Sequence, residues 1–439
     1  MQLTVSLTLD VPATADVNLV EPLIVDAGRQ AMREALRLAA LHAQAQVDHC
    51  PACTHPILHA DGTDRRVVLT CFGRVEVPVQ RLRCAACAHR FRASAAFFAP
   101  LDGANVTGEL GRQAALAGAE VPFARAAHTL QEQTGAQVSP ETVRQQTVQH
   151  GTTVAHRHAQ LAERLLNPTA ADIRAERDAG LAAPLAPLAS PPPQVVVELD
   201  GGWIASRDQA GGMEGKVAVV ATGVARLSPD RQRLYPRHYV ATFGSAEHLG
   251  MLAYAATDAL GATESPTQVV LGDGANWIKT QAAWHFPDAV KILDWAHLER
   301  TVHKAIRTAR PGQAYQAERR ALYQTVEAQL WGGAVDAALE TLRALRPAAD
   351  QDPIPALEDT LGYIEGQRAW IGDYAPWVAA GYPIGSGGVE RAVEVVINRR
   401  MKKQGMRWKR ANADAVVALR VERLNQAWDE AAGAPKLAA

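Results

Sequence analysis

Two pairs of cysteines, Cys50 and Cys53 in "CPAC" and Cys84 and Cys87 in "CAAC", constrain the first hundred residues more tightly than any other feature. A C-x-x-C loop presents two thiolates from one short turn. Two such loops supply four sulfurs to one tetrahedral ion, provided the chain between them doubles back. Here "DRRVVLTCFGRVEVPVQRLRC" alternates apolar and polar residues around Phe72-Gly73, which predicts a hairpin. Cys50, Cys53, Cys84 and Cys87 are therefore expected to hold a structural Zn²⁺, with residues 49–98 forming a zinc ribbon. His49, His55 and His89 stand nearby as substitute ligands, and Cys71, inside the hairpin, reads as a small buried apolar residue. The opening "MQLTVSLTLDVPATADVNLVEP" bears acids and no basic leader, so a cytoplasmic chain is expected, where a disulfide framework does not persist.

At 439 residues and 48% hydrophobic content the chain is long enough for several packed domains, yet no apolar run approaches the roughly 20 residues of a membrane span. The net charge of −1 argues against wholesale binding of polyanions. Charge is unevenly placed, however. Residues 390–423 hold ten Lys/Arg against four acids, and residues 61–92 hold seven Arg against three acids. Each island is either a place where phosphates lie or a solvated face.

Residues 1–48 form an N-terminal helical segment, in which Leu23, Ala27, Met32, Leu36, Ala39 and Leu41 recur near helical spacing. That helix either dimerises or packs on the next domain. Residues 99–180 read as helical. Within them, "VPFARAAHTLQEQTGAQVSPETVRQQTVQHG" is a helix, a turn at Gly135, and a second helix capped by Ser139 with Pro140 at its first position. This suits a helix-turn-helix that shows Thr142, Arg144, Gln145 and Gln146 to a DNA groove, although any small helical hairpin reads the same way. "LAAPLAPLASPPPQ", residues 181–194, is a Pro-rich linker.

Residues 195–439 open with three strand-like runs, then alternate helix, strand, helix and strand, ending at "AVKILDWAH". This β-β-β-α-β-α-β order is that of a ribonuclease H-like α/β fold with a mixed sheet. Asp200, Asp273 and Asp294 fall where strands are expected to end, the region in which such sheets bind ligands. Gly201 and Gly274 are expected to let a substrate backbone approach. About ninety helical residues, near 298–380, read as an all-helical insertion. Beyond it, Glu390, Val393 and Ile397 share one helix face, so the apolar pair docks the helix and aims Glu390 at the strand-end acids. "PIGSGGVERAV" is no P-loop, because Val389-Glu390 stand where Gly-Lys-Ser/Thr would be needed.

The stretches "LDGGW", "LGDGANWIK", "LDWAHLERTVHKA" and "YPIGSGGVERAVEVVINRRMKKQGMRWKR", with the paired cysteines and "FGRVEVP", resemble the ISKra-type insertion-sequence transposases, a DDE group related to the Mutator-like enzymes. The resemblance covers most of residues 20–425. It implies a ribonuclease H-like catalytic domain with a DDE triad at Asp200, Asp273 and Glu390, and an accessory D-x-x-H motif at Asp294 and His297. It also implies binding to double-stranded DNA at element ends and target, a homodimer, and a nucleoid-associated protein.

Carboxylates without sulfur or imidazole select Mg²⁺ or Mn²⁺. Asp200 would bridge two such ions, with Asp273 and Glu390 each holding one. Asp294 and His297 are either an outer carboxylate and a DNA contact or structural groups. Arg399, Arg400, Lys402, Lys403, Arg407, Lys409 and Arg410 then lie beside the acids as phosphate contacts, with Arg144 in the helix-turn-helix. Trp408 is placed either to stack on a splayed base or to pack on the core. Trp203, Trp277 and Trp295 read as core or crevice walls. A nuclease or resolvase on the same fold, or a domesticated zinc-ribbon regulator without activity, would use subsets of these features.

Overall fold

The computed structural model describes residues 4–166, 191–228, 231–348, 350–402 and 405–425. Most of the expected linker and Lys403 lie outside them. The chain divides into two compact units at His150/Gly151. No helix among the described residues is long and apolar enough to cross a membrane.

In the first unit, α1 (Val17–Ala45) starts at Asp16, whose side chain accepts the Leu19 N–H. It lies on the hairpin of β1 (Leu58–Thr70) and β2 (Gly73–Cys84), extended by the short β3 (Arg90–Arg92). Alternation on β2 buries Val75, Val77 and Val79 against Ala40, Val68 and Phe98, with Leu36 at the margin. Only the later part of α1 is so used: Leu23 and Met32, expected on its apolar face, are exposed. Gln44 stitches helix to strand, donating to the Pro78 carbonyl and accepting the Gln80 N–H. On the exposed side, Arg65 and Arg74 pair with Glu76, Arg81 and Arg92 with Asp64, and Arg90 with Asp61. The first arginine island is thus largely spent on its own acids.

After the short helical turns Ala95–Phe98 and Ala99–Leu101, the longer helices of the unit are α2 (Gly108–Glu120), α3 (Phe123–Thr134) and the start of α4 (Pro140–Leu166). Gly135, at φ 75°, ends α3 in the left-handed conformation that glycine adopts at least cost. Ser139 then accepts the Thr142 N–H. Ala114, Ala126, Ala127, Leu130 and Val143 form the helical core. Gln146 packs toward α2, where a Cβ on Gly111 would meet its Oε1 at 2.4 Å. That position differs from the outward one expected for a groove-reading side chain.

The second unit is built on a five-stranded mixed sheet in the order β6-β5-β4-β7-β8. Its strands are β4 (Gln194–Ile204), β5 (Met213–Ser228), β6 (Arg231–Thr242), β7 (Thr267–Gly272) and β8 (Val290–Leu293). The first three run antiparallel, and β7 and β8 join β4 in parallel. Five consecutive buried residues, Val195–Leu199, show that both faces of β4 are covered. The helices between strands are α5 (Ala246–Ala259) and α6 (Asn276–His285).

After β8 come α7 (Trp295–Ala309), α8 (Gln316–Trp331), α9 (Val335–Arg343), α10 (Pro355–Gly366) and α11 (Tyr374–Ala379), the expected helical insertion. Trp295, Trp331 and Tyr374 pack edge to face and stacked at its base. The chain then returns over the sheet as α12 (Gly387–Val393), a π-helical turn (Glu394–Asn398) and, after a short loop, α13 (Arg410–Leu424).

Candidate functional site

Strand register places the acids. Glu198 is paired with Leu271, and Leu271 with Ile292, across the parallel strands. Asp200 follows two residues after the last pair of β4 with β7, and Asp273 and Asp294 are the first residues beyond the ends of β7 and β8, so the three acids leave neighbouring strands at the same edge of the sheet. Asp200 itself lies inside β4, which continues to Ile204 against β5; what ends near it is the parallel ladder with β7. Asp200 is therefore held by backbone pairing on one side and open on the other. Its Oδ1 accepts the Gly201 N–H at 2.7 Å.

Burial, and then the charges of Asp273, Glu390 and Asp294, push the Asp200 carboxyl up to about 6. The four carboxylates thus share one electrostatic neighbourhood. Glu390 reaches it from α12, whose buried Val389, Ala392 and Val393 face inward while Glu390 stays 55% exposed, with Arg300 Nη2 at 3.7 Å. The glycines serve the protein's own packing: a Cβ on Gly202 would meet Val393 at 2.7 Å, and one on Gly388 would meet Glu198 Oε2 at 2.4 Å. Close approach of a substrate is not what Gly201 provides either, since its Cβ would meet Glu214.

Each aspartate loop has a buttress. Asp273 Oδ1 accepts the Ala275 N–H, and the Asp273 carbonyl accepts the Tyr363 hydroxyl at 2.8 Å. Gln367 donates to the Gly274 carbonyl and fills the space a side chain there would need. Asp294 is 2% exposed: Oδ1 accepts the His297 N–H as the cap of α7, and Oδ2 accepts both the N–H and the hydroxyl of Ser386. Of the readings open for Asp294, the geometry matches a structural clamp that ties the end of β8 to the turn before Glu390. The His297 ring lies 5.8 Å from the Tyr363 ring.

Sequence reasoning missed Glu198, which is fully buried two residues before Asp200. Its Oε2 accepts the Val389 N–H at 2.6 Å. Burial, with the charges of Asp294 and Glu390 adding, pushes its carboxyl up to about 8. A lone glutamate in the apolar run "VVVELD" was the available signal. Tyr363, Gln367 and Ser386 carried none.

The cationic run divides in two. Arg399, Lys402, Arg407, Lys409 and Arg410 are exposed. Arg400 and Trp408 are not: they are 2% and 6% exposed, with the guanidinium 4.8 Å from the indole ring centroid, so Trp408 takes the packed one of its two readings and Arg400 lies inside rather than on the exposed track expected for phosphate contacts. Trp408 Nε1 donates to the Met401 carbonyl, and the Trp408 backbone pairs with Ala205 and Arg207 beyond β4. The indole thus packs inside while its backbone is stitched to residues beyond β4. In the first unit, Arg144 is half-buried and paired with Glu141 one turn earlier on α4.

The four cysteine sulfurs cluster, with Cys50–Cys87, Cys53–Cys84 and Cys53–Cys87 separations of 3.7, 3.6 and 3.3 Å. Zn–S bonds of about 2.3 Å put tetrahedral sulfurs roughly 3.8 Å apart, so the donors fit Zn²⁺. The two loops repeat one another: Thr54 N–H donates to the Cys50 carbonyl and Ala88 N–H to the Cys84 carbonyl, and both Thr54 and Ala88 have φ 57°. Cys71 sits half-buried at the hairpin turn, away from this cluster.

The sequence matches no protein-family model and no curated protein. Among solved structures, the chain is similar to a Drosophila P element transposase strand transfer complex at 11% identity and a TM-score of 0.23, covering 74% of this chain and 80% of that one.

Proposed function

We propose that the second unit is the ribonuclease H-like catalytic domain of an ISKra-type DNA transposase, with Asp200, Asp273 and Glu390 as its DDE triad. The observation that supports this is that Asp273, just past the end of β7, and Glu390, on α12, both act by charge on Asp200 of the neighbouring strand β4. Neighbouring strands lie about 4.8 Å apart, which suits two divalent ions about 3.5–4 Å from each other. The donors are all carboxylate oxygens, and burial, then the neighbouring acids, raise the Asp200 carboxyl to about 6, which a bound cation would relieve; Mg²⁺ or Mn²⁺ fits such a set. When bound, two such ions supply activation of an attacking oxygen and stabilisation of the leaving 3′ oxygen.

This chain's own residues do the rest. Asp294 and Ser386 fix the turn ahead of Glu390, and Tyr363 and Gln367 fix the turn that carries Asp273. Arg399, Lys402, Arg407, Lys409 and Arg410 supply exposed cations for phosphates of the strand being cut or joined. The four-cysteine cluster and the helices from α2 onward form the end-recognition module, with Gln145 the exposed candidate on α4. Pairing two element ends calls for a homodimer on the nucleoid.

The test is cleavage and joining of DNA bearing the element's ends, by purified protein with Mg²⁺. Both reactions are expected from the parent and neither from Glu390→Gln. A Glu390→Gln protein as active as the parent would refute the triad. Cleavage without joining would favour a nuclease on the same site.

A further inference from the structure

We propose that Glu299, His303 and Glu327 bind a first-row divalent metal ion within the helical insertion. Glu299 and His303 stand one turn apart on α7 and so share a face, and Glu327 comes from α8, which packs beside α7. One ligand atom from each residue lies within 4.8 Å of those from the other two. Tyr323, one turn before Glu327, holds the imidazole with ring centroids 4.2 Å apart, and His303 Nε2 meets the Glu327 carboxylate. All three residues are half-buried, which lets an ion enter and still orders its ligands.

An ion pair between His303 and Glu327 explains two of the three groups. It leaves Glu299, which has no hydrogen-bond or ion-pair partner among the described residues. Two carboxylates around a neutral imidazole carry a charge of −2, which one divalent cation balances. The donor set decides the ion. One imidazole nitrogen with two carboxylate oxygens is too hard for Cu(I) and departs from the all-oxygen shell that Mg²⁺ and Ca²⁺ prefer, so it suits ions from Mn²⁺ to Zn²⁺. Three protein ligands leave coordination positions for water, and the ion would clip α7 to α8.

The full chain, zinc-loaded at its cysteines and carrying Asp200→Asn and Asp273→Asn so that the sheet acids do not compete, is titrated with Zn²⁺ against a chromophoric chelator. One further equivalent is expected. It should weaken at least about tenfold in Glu299→Gln and in His303→Ala, with helical content unchanged. Glu327→His removes the ion pair but keeps a metal donor, and should retain the equivalent. Undiminished binding in Glu299→Gln or His303→Ala, or its loss in Glu327→His, overturns the site.

Discussion

The Glu198 carboxyl accepts the Val389 N–H, one residue before Glu390, and both partners are buried. The strand that bears Asp200 thereby also holds the helix that bears Glu390. Glu198→Gln keeps an acceptor of the same shape and should change stability by less than about 1 kcal/mol. Glu198→Ala leaves a buried N–H without a partner and should cost about 1–3 kcal/mol beyond the cavity it opens. Denaturant melts of both variants check this, and equal losses would show that the hydrogen bond is not what anchors the helix.

Asp200 is held in its place at the expense of stability. Burial and neighbouring acids raise its carboxyl from 3.8 to about 6, so in metal-free protein the folded state keeps a proton that the unfolded state has released. Stability therefore falls as pH rises from about 4 to about 6 and stays lower above that. Discounted for partial exposure, Asp200→Asn should stabilise the metal-free protein by roughly 1–2 kcal/mol at pH 7.5 and not at all below pH 4, while abolishing strand cleavage. Melts in Mg²⁺-free buffer at the two pH values measure it.

His238 should govern acid sensitivity. The Asn425 amide is oriented by the Tyr239 backbone, with Oδ1 accepting its N–H and Nδ2 donating to its carbonyl; the second Nδ2 hydrogen points to His238 Nε2 at 3.2 Å. Burial, then the charge of His158, lowers the imidazole to about 4, against the opposing charge of Glu422. The unfolded chain takes up this proton near pH 6.5 and the folded one does not until about pH 4. Stability is thus lost as pH falls through that window, by up to about 3 kcal/mol. His238→Gln should flatten the slope between pH 4.5 and 6.5, and an unchanged slope would rule His238 out.

Trp408 and Lys409 are adjacent and should fail differently. Trp408→Ala empties a buried site and should cost about 3–5 kcal/mol. Lys409→Ala should leave stability within about 0.5 kcal/mol and weaken DNA binding, lowering the salt dependence of log K by about one unit. Parallel melts and salt-dependent binding curves separate the two. A Lys409→Ala protein with the parent's salt slope would remove that residue from the DNA track.

What was legible in the sequence follows from what is local. Cys50, Cys53, Cys84 and Cys87 announce their cluster because each pair closes its own loop, and the hairpin between them shows by alternation. The strand order of the second unit was readable from runs such as "QVVVELD" and "TQVVLG". Three-dimensional fate was less so. Arg400 and Trp408 belong to a cationic string by composition, yet pairing of Trp408 with Ala205 and Arg207, about two hundred positions away, turns the indole inward. Glu198 looks like any strand residue until Gly388 arrives beside it. Tyr363 and Gln367 look like ordinary helix residues because their partners, Asp273 and Gly274, are some ninety positions upstream.

That last arrangement has a consequence in time. Synthesis delivers Asp200 and Asp273 long before Tyr363 and Gln367, which brace the turn after Asp273, and before Ser386 and Val389, which hold the turn ahead of Glu390. A nascent chain still short of residue 360 carries Asp200, Asp273 and Asp294 without Glu390. The acid-bearing turns are therefore braced only once residues 363–389 have left the ribosome.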